Sequence, residues 1–157
     1  MRNYLNDCLK IERVMGEFYR KLARVERYSE EVRSAFARMA QDEEDHARQL
    51  EIARGVPEEV FFAEPRIEEQ QLDHLLRRAH RLLRLADTPP QSEREMLETA
   101  RELELEFMQI HLRNAVRFHK PQVAELFRSL ARDDEQHIAT LDVCRKSAPP
   151  PSGPTRH

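Results

Sequence analysis

From Leu5 onward, apolar side chains recur in steps of three and four. Leu5, Cys8, Leu9, Met15, Gly16, Leu22 and Ala23 lie on one stripe, with Glu12 and Tyr19 set among them. That is the period of a helix with one buried face, and it predicts a first helix from about Arg2 to Tyr28. Ser29 fits the N-cap of a second helix, which Gly55 and Pro57 would stop. Its stripe reads Val32, Ala35, Phe36, Met39, Glu43, His46, Ala47, Leu50. Residues 56–66, "VPEEVFFAEPR", hold two prolines and keep no period, so they read as a connection. A shorter helix follows from Ile67 to Ala86, with Leu72, Leu75, Leu76, Ala79, Leu82, Leu83 and Ala86 on one face, until "DTPPQ" breaks it.

Ser92 and Glu95 have the spacing of a capping box and open the next long helix. Its stripe is Leu97, Ala100, Glu104, Phe107, His111, Ala115 and Phe118. Pro121 suits the first turn of a last helix, where its missing N–H costs nothing. There the stripe is Val123, Phe127, Leu130, Asp134, His137, Leu141 and Cys144. The expected fold is all-α: four long helices in two pairs, with an additional helix in the long crossover between them. Residues 1–146 form the expected domain, and 147–157, "SAPPPSGPTRH", read as a Pro-rich disordered tail.

The two pairs repeat one another. An offset of 91 residues lays Phe36 on Phe127, Glu43 on Asp134 and His46 on His137, and an offset of 92 lays Glu12 on Glu104. Polar residues that break the apolar stripes therefore recur at matching depth. They are also the only two acid-x-x-His pairs in the chain. Residues three apart share a helix face, so each pair can converge on one ion. Packed together, the four long helices would bring Glu12, Glu43, Glu104, Asp134, His46 and His137 into one interior layer. Carboxylates from each helix plus two acid-x-x-His motifs form the ligand set of dinuclear carboxylate bundles. Four buried carboxylates alone would be costly, and two divalent cations would cancel their charge. Carboxylate with imidazole suits iron or manganese, and imidazole also accommodates zinc.

Tyr19 follows Glu12 by seven residues, and His111 follows Glu104 by seven. Each is placed two turns along the same face, either to hydrogen-bond a ligand or relay protons, or to sit as a satisfied core residue. His74, His80, His119 and His157 fall off the stripes and read as surface. Arg77, Arg78, Arg81 and Arg84 of the crossover helix read as a solvated face, and a docking patch for an acidic redox partner is the lesser alternative. Cys8 and Cys144 occupy core positions.

Composition narrows the rest. The 157 residues carry 26 basic and 29 acidic side chains for a net charge of −3, which offers no electrostatic motive for a nucleic-acid or anionic-membrane partner. No apolar run approaches the ~18 residues of a membrane span. The N-terminal "MRNYLNDCLKIERVM" lacks a signal-peptide core, so the expected compartment is the cytoplasm. Cys8 and Cys144 form no C-x-x-C pair.

These motifs resemble the ferritin-like superfamily, most closely its rubrerythrin branch. "CLKIERVMGEFYRKLA" is similar to that branch's first helix, "FARMAQDEEDHARQLE" to its second, "ARELELEFMQIHL" to its third and "LFRSLARDDEQHIATL" to its fourth. The similarity spans roughly residues 5–145. It implies a ferritin-like bundle holding two iron ions on Glu12, Glu43, His46, Glu104, Asp134 and His137. The implied activity is that of a non-haem di-iron oxidoreductase reacting Fe(II) with dioxygen or hydrogen peroxide.

Three departures qualify this. Asp134 stands where the family has a glutamate, one methylene longer, which implies a looser site or one more weakly held ion. Phe107 takes the place of the rubrerythrins' further carboxylate, one turn after the third-helix ligand. The rubredoxin-like domain that supplies electrons is missing, so a peroxidase would need an external electron donor protein. The six-ligand set also resembles the ferroxidase centre of bacterioferritins, which keeps iron storage open as an alternative. A metal-free helical interaction module is the alternative of another class. A homodimer or a larger homo-oligomer is left open.

Overall fold

The computed structural model describes residues 2–55, 66–87, 92–118 and 120–148. It contains five helices: α1 (Arg2–Leu22), α2 (Glu30–Arg54), α3 (Arg66–Leu85), α4 (Glu93–Arg117) and α5 (Pro121–Ser147). The described residues include no strand. None of the helices among them is long and apolar enough to cross a membrane. The connection at 56–65, His119 and the tail from 149 lie outside the described residues, as does His157.

Helix boundaries follow local chemistry. The Ser29 side chain accepts from the Val32 amide to start α2. Ser92 and Glu95 exchange the reciprocal bonds of a capping box at α4, and Pro121 lies in the first turn of α5. The first helix ends six residues before the expected Tyr28. The amides of Arg24, Val25 and Tyr28 bond three residues back, to Lys21, Leu22 and Val25 at 3.0, 3.1 and 3.0 Å. The chain tightens into a turn, and Tyr28 folds back into the core, so its apolar surface is buried without a further turn of helix. At the other end α5 runs to Ser147 and Ala148 is buried, so order extends slightly past the expected boundary at 146.

Helix α1 packs on α2, α4 on α5, α2 on α5, and α3 on α1. Cross-helix contacts set the directions. Asp42 and His46 of α2 meet His137 and Asp133 of α5. Glu12 and Tyr19 of α1 meet His111 and Glu104 of α4. In both cases sequence runs oppositely along the two helices, so α1 and α5 point one way and α2 and α4 the other. Two parallel neighbours in sequence, α2 and α4, need a connection that returns along the bundle, and α3 lies in it. Leu72, Leu75, Ala79 and Leu82 bury the inner face of α3. Arg77, Arg81 and Arg84 are solvated, but Arg78 is not: it reaches across to Glu102 and Glu106 of α4. His74 and His80 are exposed, while Cys8 and Cys144 are core residues.

One apolar core joins all five helices. Phe36 and Phe127, equivalent in the repeat, are each fully buried. Replacing either by Ala is expected to lower stability by about 3–5 kcal/mol. Urea unfolding measures this, and a loss below about 1 kcal/mol at one position would mean the two halves do not share a common packing role.

Candidate metal centre

Seven ionisable side chains are buried in a single layer at mid-bundle: Glu12, Glu43, His46, Glu104, His111, Asp134 and His137. Helical spacing alone puts them on inward faces, but their partners are set by the packing of four helices. Among the described residues the donors form two groups, Glu12 with Glu43 and His46, and Glu43 with Glu104 and His137; within each, one ligand atom from every residue lies within 4.8 Å of the others. Glu43 belongs to both.

The two histidines are oriented alike. His137 turns Nδ1 inward, 3.2 Å from Glu104 Oε2 and 3.6 Å from Glu43 Oε1. Its Nε2 lies 3.1 Å from Asp42 Oδ2. His46 turns Nδ1 toward Glu12 and Glu43, at 3.5 and 3.4 Å, and its Nε2 lies 3.2 Å from Asp133 Oδ2. Each outer nitrogen is thus held by an aspartate from the opposite helix, which fixes ring orientation and raises the basicity of the inner nitrogen. Asp42 and Asp133 were not singled out among the site residues in the sequence. The available signal was the repeat itself, because an aspartate precedes both Glu43 and Asp134 at the same 91-residue offset.

Tyr19 and His111 complete a reciprocal pattern. Tyr19 on α1 donates to Glu104 on α4. His111 on α4 places Nε2 3.3 Å from Glu12 on α1. Asp134 is in the same layer, but its Oδ2 stands 2.7 Å from His111 Nδ1. Thus five of the six expected ligands make up the two donor groups, and Asp134 is paired with His111 beside them. Phe107 is buried.

Two atoms test whether a cation fits. Glu43 Oε1 and His46 Nδ1 are buried without a hydrogen-bond partner among the described residues. The inward contacts of His46, at 3.4–3.5 Å, are too long to be good hydrogen bonds. An unsatisfied buried oxygen and nitrogen cost about 1–3 kcal/mol each. A cation on Glu12, Glu43 and His46 would satisfy His46 Nδ1, and one on Glu43, Glu104 and His137 would satisfy Glu43 Oε1, which faces His137, so the donor set fits metal ions.

Protonation in the metal-free chain follows from the same crowding. Burial disfavours the His46 imidazolium, but the Glu12 and Glu43 carboxylates more than offset this and push its pKa up to about 12. For His137, burial is likewise overcome by Asp42, Glu104 and Glu43, to about 11. His111 is raised to about 10 against burial by Asp134 and Glu12. Burial and the nearby Glu12 charge hold Glu43 well above the usual carboxylate range. For Glu12 burial acts upward, but hydrogen bonding with Glu43 and His111 and the charge of His46 prevail and hold it well below. Burial raises Asp134 to about 6 despite His111. Burial and the Glu104 charge keep Tyr19 a phenol.

A cavity of about 340 Å³ opens between α2 and α5 onto this layer. His46, His137, Asp42, Asp45, Asp133 and Arg38 are among its lining. On the α1 side, Gly16 allows close approach: an added Cβ would lie 3.3 Å from Glu43 Cβ and 3.5 Å from the Ala40 carbonyl oxygen.

No family model matches the chain, and no curated protein or solved structure matches it either.

Two measurements follow from the geometry. His46 and His137 hold protons through neutral pH, so loading both donor groups with divalent cations should release at least about two protons. Affinity should therefore rise with pH. Calorimetry in buffers of differing ionisation enthalpy counts the protons, and binding without release would contradict this protonation scheme. Gly16→Ala should leave folding stability nearly unchanged, since about 1 kcal/mol of helix propensity offsets the tight contact. By displacing Glu43 it should weaken metal binding about tenfold, and an unaltered isotherm would show that this approach does not position Glu43.

Proposed function

We propose that the chain is a ferritin-like, rubrerythrin-like non-haem di-iron oxidoreductase that reacts Fe(II) with hydrogen peroxide or dioxygen. The observation that carries this reading is the pair of buried acid–histidine groups sharing Glu43, with one histidine from each half of an internal repeat. The helix directions, with α3 in the connection between two parallel long helices, agree with a ferritin-like bundle. Manganese or zinc would suit the same donors, and iron is chosen because side-by-side ferrous ions supply the two electrons needed to cleave an O–O bond.

Within this reading each side chain has a task. Glu12 and His46 would hold one ion and Glu104 and His137 the other, with Glu43 a member of both donor groups. Asp42 and Asp133 keep the inner nitrogens of His137 and His46 aimed at the ions. Tyr19 donates to Glu104 and so limits how that carboxylate turns. The apolar core above and below the layer, including Phe36 and Phe127, excludes bulk water. The buried Asp134–His111 pair is a source of protons close to the site. No C-x-x-C pair lies within these 157 residues, so a peroxidase cycle would draw its electrons from outside them.

A second reading, ferroxidase, is favoured by the cavity between α2 and α5. Its three aspartates against one arginine suit the entry of Fe(II) as a substrate, and His46 and His137 line it as well. Turnover in excess Fe(II) without a reductase supports the ferroxidase, and peroxide turnover only with an added reductant supports the peroxidase.

The first test is elemental mass spectrometry on protein purified without chelators. About two iron atoms per chain are expected, with metal lost in Glu12→Ala and His46→Ala. A chain that stays empty even after anaerobic reconstitution with iron would sink the di-iron reading and leave a helical interaction module in the lead.

A further inference from the structure

The two halves of the site mirror each other except at two pairs of positions, Glu43/Asp134 and Tyr19/His111. Asp42 meets His137 and Asp133 meets His46. Tyr19 meets Glu104 and His111 meets Glu12. Such reciprocal contacts are the mark of a two-fold, here between halves of one chain. Under that symmetry Glu43 is equivalent to Asp134, yet Glu43 belongs to both donor groups and Asp134 to neither.

The cause lies at the other unequal pair. A tyrosine has one polar atom, and Tyr19 uses it on Glu104. A histidine has two, on opposite edges of the ring. After His111 has reached Glu12 with Nε2, its Nδ1 is left facing α5. It lies 2.7 Å from Asp134 Oδ2, the shortest of the imidazole–carboxylate contacts in the layer. Asp134, one methylene shorter than Glu43, cannot reach the centre while it makes that contact. The His111 ring is further held against Phe127, with ring centroids 5.8 Å apart.

We infer that His111 is a positioning residue that withholds Asp134 from the metal centre, so that two ions are held by five side chains and the two halves of the site are unequal. This rests on the metal-binding reading above. It differs from the symmetric six-ligand set by assigning Asp134 to His111 and to neither ion. The coordination left open by Asp134 is then available to a small oxidant or to water on one side of the pair.

The test is a set of Mn(II) titrations by calorimetry on the full chain. In the native background, Asp134→Asn keeps the size of the side chain and can still bond to His111. It should change either affinity by less than about twofold. In the His111→Tyr background, Asp134→Glu should rebuild the symmetric site and bind the weaker ion about tenfold more tightly than Asp134→Gln. Circular dichroism verifies folding, and His111→Gln substitutes for His111→Tyr if the larger ring is not accommodated. A tenfold loss from Asp134→Asn alone, or equal binding by the Glu and Gln variants, would overturn the inference while leaving the metal site standing. A native chain that binds no Mn(II) would instead overturn the metal reading and the inference with it.

Discussion

Everything in this bundle answers to one constraint: four carboxylates and three imidazoles lie together out of water. Charges at that depth are tolerated only with partners, and removing one partner from a buried pair costs far more than a surface ion pair gains. The chain meets the constraint first with its own groups. Imidazole protons face carboxylates, burial and the Glu12 charge hold Glu43 above the usual carboxylate range, and Asp42 and Asp133 close the outer edge. These pairings leave Glu43 Oε1 and His46 Nδ1 unsatisfied, and both fall inside the donor groups that would hold a cation. The large side chains packed near the layer, such as Tyr19 stacked on Phe36, keep water out and so make that imbalance matter.

Duplication explains how a small chain assembles such a layer. The first helix pair supplies three of the five donors and the second two, and the antiparallel run of α2 against α5 and of α1 against α4 turns two copies of one pattern into reciprocal contacts. That arrangement requires α2 and α4 to run in the same direction, which a short loop cannot achieve, so the crossover and α3 are part of the site's construction. Leu72, Leu75 and Ala79 fasten α3 to the bundle, and Arg78 ties it to α4. The symmetry is kept where helices must pack and lost at Tyr19/His111 and Glu43/Asp134, where only the chemistry of the layer is affected.

Much of this was legible in the order of residues. Stripe positions such as Phe36, Leu97 and Phe127 are buried as their period implies, and Ser29, Ser92 and Pro121 start helices because capping is a local matter of a few bonds. The inward turn of Glu43 and His46 was visible for the same reason. Two features were less visible. The end of α1 depends on Tyr28 finding the core through a turn, and Arg78 looked like its solvated neighbours until α4 stood opposite it.

The sequence by itself determined five helices, an internal repeat and the set of polar residues that must face inward, because helical period and capping act over three or four residues. Only the tertiary structure decided who meets whom. That His137 leans on Asp42, that Tyr19 serves Glu104 and that His111 takes Asp134 are matters of helix direction and crossing, which no single helix encodes. A contact across a bundle is set by the packing of both surfaces at once, so its geometry exists only when the four helices close together.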